Sequence, residues 1–200
     1  MKLDRKLLGF LALAWVLGRS QKRDSPRGAD GPELVPSPRD VDALGEVWPY
    51  TLPERVRRSS LDALHEDAHP HFLALFEQAR ALGLTPRIAD ATRSPREQRE
   101  ERASRSSKAD CSWHLGGRAV DVELKGLGLA WDPDYETLGE YWEARGGQWG
   151  GRFRGYGEHG DFRHFEYAPG LGNPKDVGLC DTSYRGVAAY WKRSKRNAAA

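Results

Sequence analysis

Ser112-Trp113-His114-Leu115-Gly116-Gly117-Arg118-Ala119-Val120-Asp121 is the stretch from which the fold is read. Gly116 and Gly117 allow a tight turn, because glycine adopts backbone angles that other residues avoid. After the turn, Ala119 to Leu124 (AVDVEL) alternates in the manner of a half-buried strand. Ala119, Asp121 and Glu123 then share one face, with Val120 and Val122 on the other. His114 lies on the loop side of the turn and Asp121 on the strand. A hairpin-like return would bring both side chains to one metal ion, with small Ala119 leaving space beside it. The plainer reading is a surface turn followed by a strand with a solvated acidic face, and spacing alone does not separate the two.

A second stretch, Asp161-Phe162-Arg163-His164-Phe165-Glu166, complements the first. Together they offer two imidazoles and a carboxylate. Three protein ligands with one open position is the arrangement of a catalytic zinc, whereas structural zinc sites are usually closed by four. Asp161 stands three residues before His164, where a carboxylate can take a proton from water and return it to a leaving amine. Glu158 and Glu166 are rival bases and His159 a rival ligand. Glu166 shares a strand face with His164 and suits a supporting position. His65, His69 and His71 lie before or at the start of a helix and read as surface residues. Arg93, between a strand and a helix, is expected on a rim, where its guanidinium could grip a carboxylate or an oxyanion. The bland alternative is one surface arginine among many.

The flanking sequence supplies the scaffold. Phe72, Leu73, Leu75, Phe76, Ala79 and Leu82 recur at helical spacing after Pro70, and Gly83 ends the pattern. Leu84 to Ala91 reads as a strand that Pro86 confines to a strand start or a sheet edge. Ser94, Pro95 and Glu97 form a capping-box signature for a helix reaching about Ala103. A helix is expected from Tyr135 to Arg145, a loop from Gly150 to Gly160, a short strand from Phe165 to Tyr167 and a closing helix from Tyr184 to Lys195. In that last helix Val187, Tyr190 and Trp191 face inward. Short strands mixed with helices predict an α+β domain.

The chain has 200 residues, 31 basic and 29 acidic, for a net charge of +2. That balance, without a run of five or more like charges, argues against a nucleic-acid partner. Residues 1–18 place Lys2, Arg5 and Lys6 before an apolar run of twelve residues, Leu7 to Gly18. This is the layout of a secretory signal peptide, and the run is short of the roughly 20 residues that span a bilayer. It reads as a signal or an uncleaved N-terminal anchor, so the protein is expected to be exported, periplasmic or extracellular, touching the membrane only through that anchor. Residues 19–51, rich in Pro, Gly and Ser, read as a linker or arm that Val47-Trp48-Pro49-Tyr50 docks onto a domain at 52–200. A monomer is expected. Cys111 and Cys180 are the two cysteines. In an exported chain their pairing is expected, worth roughly 4 kcal/mol for a loop of that length.

SxHxxGxAxD, realised as Ser112, His114, Gly117, Ala119 and Asp121, and DxxHFE, realised as Asp161, His164, Phe165 and Glu166, follow one another in this order. The combination resembles the zinc D-alanyl-D-alanine carboxypeptidases and L-alanyl-D-glutamate endopeptidases, including VanY-type enzymes and phage endolysins. The upstream Arg-Ser…Gln element of that family is matched by Arg93, Ser94 and Gln98. The resemblance spans roughly residues 52 to 170. It implies that His114, Asp121 and His164 hold Zn2+, that Asp161 is the catalytic acid/base, and that Arg93, Ser112 and Gln98 bind substrate. It also implies a small α+β fold shared with the Hedgehog signalling domain: a short antiparallel sheet with flanking helices. The implied function is hydrolysis of peptide bonds in peptidoglycan stem peptides, at the L-alanyl-D-glutamate or the D-alanyl-D-alanine bond. Asp in place of Glu before the histidine leans toward the endopeptidases. The alternative is a non-catalytic zinc module that binds wall or protein, which has no need of Asp161. The stretch 149–160 (WGGRFRGYGEHG) is longer and richer in glycine than the family pattern.

Overall fold

The computed structural model describes residues 44–127 and 130–198, with side chains up to residue 194. The expected signal or anchor at 1–18, and the arm up to residue 43, lie outside the described residues. Among the described residues no helix is long and apolar enough to cross a membrane.

Four short strands form one antiparallel sheet: β1 (Pro86–Asp90), β2 (Ala119–Leu124), β3 (Gln148–Trp149) and β4 (His164–Glu166), in the order β1-β2-β4-β3. Pro86 is the first residue of an edge strand, where its missing N–H costs no ladder bond. Among the described residues the sheet is accompanied by helices α1 (Glu54–Ser59), α2 (His69–Ala81), α3 (Pro95–Ala103), α4 (Pro133–Glu143) and α5 (Tyr184–Ala198). The expected α+β architecture is thus present.

Local signals explain the starts of two helices. Ser94 caps α3, its hydroxyl accepting from the Glu97 amide while the Glu97 carboxylate accepts from the Ser94 amide. α4 begins at Pro133, earlier than the expected Tyr135, because Asp132 caps it by accepting from the Asp134 amide at 2.9 Å.

Two apolar clusters hold the elements. In the first, α2 and α4 contribute Phe72, Leu75, Tyr135, Leu138 and Trp142, which pack on Val120, Val122, Leu124 and Phe165 of the sheet. Each fully buried large side chain there contributes on the order of 2–3 kcal/mol. Gly139 of α4 lies against the Trp149 indole so closely that a Cβ would overlap the ring. The second cluster gathers Trp113, Leu115 and Ala119 around Val187, Tyr190 and Trp191 of α5, with Leu44 and Val47 joining them. The 44–50 segment is therefore docked, and the Tyr50 hydroxyl donates to the Leu115 carbonyl at 2.8 Å.

Cys111 and Cys180 pair across an isolated antiparallel bridge and are joined as a disulfide. One expectation needs correction. His65 is not a surface residue: it is 3% exposed, beneath Tyr190 and Trp191 of α5, with Arg118 donating to its Nδ1 at 3.1 Å. The apolar face of a distant helix covers it, and no local pattern reports that.

Candidate metal centre

His114 sits in a one-turn 3₁₀ helix, Trp113–Gly116, whose cap is the Ser112 hydroxyl accepting from the His114 amide at 3.2 Å. Gly117 then reverses the chain at φ +62°, and a Cβ there would meet the Trp191 ring and the His65 backbone. The turn delivers β2, and the β2–β4 register sets Asp121 directly opposite His164. His114, Asp121 and His164 converge from a turn and two neighbouring strands.

The donor atoms are well defined. His164 Nδ1 lies 2.8 Å from Asp121 Oδ1, and His114 Nε2 lies 3.3 Å from each of these atoms. Ligand atoms about 2.1 Å from a tetrahedral zinc lie about 3.4 Å apart, so the three donors fit that ion. Each imidazole is steadied on its far nitrogen: His114 Nδ1 by the Ala91 carbonyl, His164 Nε2 by Glu166 Oε1 at 2.8 Å. Those partners place the N–H groups away from the centre and turn lone pairs toward it. Among the described residues this trio is the group of His, Cys, Asp and Glu that could hold a metal ion.

Electrostatics agree with the geometry. Burial opposes ionisation of Asp121, but the two imidazoles outweigh it and hold the carboxyl well below its ordinary range. Burial also opposes protonation of His164, yet hydrogen bonds to Asp121 and Glu166 raise its pKa to about 10. The site is thus rich in negative charge, and a dication would take the place of that proton. Asp161 is raised above its ordinary value, first by burial and then by Asp121, while His164 and His114 pull the other way.

Asp161 lines a cleft of about 110 Å³ beside the three donors, together with Ser107, Ser112, Phe153 and Tyr156. The glycine-rich stretch explains its position. Gly150 O accepts from the Asp161 amide at 2.8 Å, and a Cβ would collide with the Asp161 carbonyl and His164 at Gly150, and with the Gly150 and Gly151 carbonyls at Gly160. Lys108 donates to the Gly155 carbonyl and sits 4.5 Å over the Tyr156 ring, joining two loops at the cleft's edge. The rivals fall elsewhere. Glu158 is exposed, and His159 stacks on Trp131 at 4.1 Å.

Two expected substrate-binding residues are placed differently. Arg93 lines the cleft but not as an open rim residue: it is 7% exposed, donating to Asp90 at 2.6 Å, Gln98 at 3.0 Å and Asp121 at 3.0 Å. Gln98 is fully buried, and its amide is engaged by Arg93, Ser107 and the Ala109 carbonyl, so it supports the loop. Ser112 borders the cleft. The sequence reading missed Asp90, whose one signal was a carboxylate three residues before Arg93, and Phe153 and Tyr156, whose signal was aromatic residues within a glycine-rich loop.

Residues 105–167 match the profile of a peptidase family described as D-alanyl-D-alanine carboxypeptidase. The matched stretch contains all three donors and Asp161. No match is found among curated proteins. Among solved structures, the chain is similar to the Serratia marcescens L-Ala D-Glu endopeptidase ChiX, with 24% identity and a TM-score of 0.42, covering 54% of this chain and 83% of that one. It is also similar to the vancomycin-resistance D,D-pentapeptidase VanY of a VanB-type cassette in complex with Zn(II), with 23% identity, TM-score 0.40 and coverage of 60% and 83%. VanYB in complex with D-Alanine-D-Alanine matches with 21% identity, TM-score 0.40 and coverage of 59% and 80%.

Proposed function

We propose that this chain, exported from the cytoplasm, hydrolyses peptide bonds in peptidoglycan stem peptides. Of the two candidate bonds we favour L-alanyl-D-glutamate, on the resemblance of an aspartate-type DxxHFE motif. The observation that carries the hydrolytic reading is Asp161 lining the same cleft as three converging metal donors. A module that merely bound zinc would have no use for a carboxyl group there.

His114, Asp121 and His164 would hold the zinc. When bound, zinc supplies a Lewis acid that polarises the scissile carbonyl and makes water more acidic. Asp161 accepts the proton of the attacking water and delivers it to the leaving amine. Its raised pKa suits both halves of that shuttle. Glu166 and the Ala91 carbonyl keep both imidazoles in the metal-binding orientation. The Ser112 hydroxyl and the Tyr156 phenol border the cleft, where they can hydrogen-bond peptide groups.

The test is digestion of purified peptidoglycan with and without a chelator, followed by mass spectrometry of the released fragments. Chelator-sensitive cleavage between L-Ala and D-Glu is the expected result. Release of terminal D-Ala alone reassigns the bond, and an unchanged digest supports the zinc-binding module.

A further inference from the structure

Asp90 lies next to the metal ligand Asp121. The β1–β2 register slips between Ile88 and Asp90, and the irregularity sets Asp90 directly opposite Asp121. Bulges of this kind re-aim a side chain. Two carboxylates facing each other across strands repel, so a cation is needed between them. Arg93 supplies it, with Nε donating to Asp90 Oδ2 at 2.6 Å and Nη2 donating to Asp121 Oδ2 at 3.0 Å.

The Asp90 carboxylate is itself fully engaged and its side chain is 6% exposed. Oδ2 also accepts from Arg58 Nη2 at 2.6 Å, while Oδ1 accepts from Arg58 Nε and the Ala91 amide, both at 2.9 Å. Four hydrogen bonds leave it little freedom. A guanidinium is planar, so an Arg93 anchored at Nε and, through Nη1, at Gln98 has its remaining nitrogen aimed in one direction. That direction is Asp121 Oδ2. The other oxygen of Asp121 is the one facing His114 and His164.

We propose that Asp90 is a positioning residue for the zinc centre: it locks Arg93 so that Arg93 holds one Asp121 oxygen and presents the other to the metal. In this arrangement one Arg93 nitrogen is committed to the metal ligand. The proposal rests on the zinc site and is independent of which peptide bond, if any, is cut.

The test measures zinc affinity by competition with a chromogenic chelator on the full chain, alongside kcat and KM for the zinc-saturated protein. Asp90→Asn keeps the volume but loses the charge that anchors Arg93. It should weaken zinc by about 10- to 100-fold, the usual effect of removing a partner behind a ligand. Arg93→Lys, which retains a cation but cannot span both carboxylates, should do the same. Glu101→Gln is the control. It removes only the outer partner of Arg58, at 2.7 Å, and should change zinc affinity less than about twofold, even if stability falls. If Asp90→Asn fails to fold by circular dichroism, Arg93→Lys carries the test. Unchanged zinc affinity in the folded variants, or an equal loss in Glu101→Gln, overturns the proposal. A raised KM with intact zinc affinity also overturns it, since Arg93 would then read the substrate. A protein that binds zinc as expected here but cuts no stem peptide sinks the peptidase reading alone.

Discussion

Two buried clusters adjoin the same stretch, Ser112 to Asp121, and both are built from histidine, arginine and aspartate. At the metal centre, His114 and His164 point nitrogen atoms at Asp121 and at each other, with Arg93 behind the carboxylate. In the other, the Arg118 guanidinium donates to His65 Nδ1, to Asp67 at 2.7 Å and to the Tyr190 hydroxyl at 2.5 Å. The Asp67 amide also donates to His65 Nδ1, at 3.3 Å. The His65 lone pair is thus consumed by hydrogen bonds, whereas those of His114 and His164 converge. The electrostatic outcome is opposite. His164 is raised to about 10 between two carboxylates, and His65 is lowered to about 4, by burial first and by Arg118 second. The larger hollow, about 330 Å³, belongs to the Arg118 cluster and not to the metal centre. Residue types and cavity size therefore do not mark the reactive site; converging lone pairs in negative surroundings do.

The largest break in the comparison is removal of a ligand. His114→Ala or His164→Ala should lose the zinc and cut turnover by about a thousandfold or more, since metal binding requires the assembled donor set. His65→Ala should lose stability but keep full zinc occupancy. Metal analysis of the purified variants checks both, and full occupancy in the His114 and His164 variants would refute the assignment. Asp161→Ala comes next. It should retain zinc and lose about a hundredfold in kcat, roughly 2.7 kcal/mol of barrier. A fully active Asp161→Ala enzyme would move the proton shuttle to another group.

The contrast between the clusters is only half legible in the sequence. The candidate donors are legible as two local motifs that resemble a known family, and the antiparallel register brings Asp121 to His164. The capping box at Ser94 and Glu97, and Pro86 at the strand start, are readable because they too are local. What escapes such a reading is long-range. Arg93 is buried because Arg58, 32 residues before Asp90, completes its cage and because a strand irregularity turns Asp90 inward. His65 is buried because α5 folds over it from the far end of the chain. Burial of a polar side chain depends on partners that spacing along one segment does not reveal.

The pH dependence of stability should separate the clusters. In the unfolded chain His65 takes up a proton near 6.5, and in the fold only near 4. The unfolded state binds more protons between those values, so this contribution is complete above pH 6.5 and is lost as pH falls toward 4. It amounts to roughly 2–3 kcal/mol. The sign is reversed at the metal centre, where His164 in metal-free protein keeps its proton until about pH 10. That contribution is complete below pH 6.5 and is lost as pH rises toward 10. Urea midpoints of chelated protein from pH 4 to 10 should fall at both ends. His65→Gln should flatten the acid limb only, and an unaltered acid limb would show that His65 does not report on folding.

The smallest effect probes whether the Arg118 cluster is purely structural. Tyr190→Phe removes the hydroxyl that accepts from Arg118 Nε and leaves a buried donor unpaired, because Arg118 is 5% exposed. An unpaired buried donor costs about 1–2 kcal/mol. Asp67→Asn removes the charge of another Arg118 partner, but the Asp67 side chain is 65% exposed and water screens it, so less than about 1 kcal/mol is expected. Neither variant should alter zinc affinity, since neither side chain reaches His114, Asp121 or His164. Denaturant titration and chelator competition on the same samples give both quantities. A shift in zinc affinity for Tyr190→Phe would mean that the turn at Gly117, which packs against the neighbouring Trp191, transmits strain from one cluster to the other.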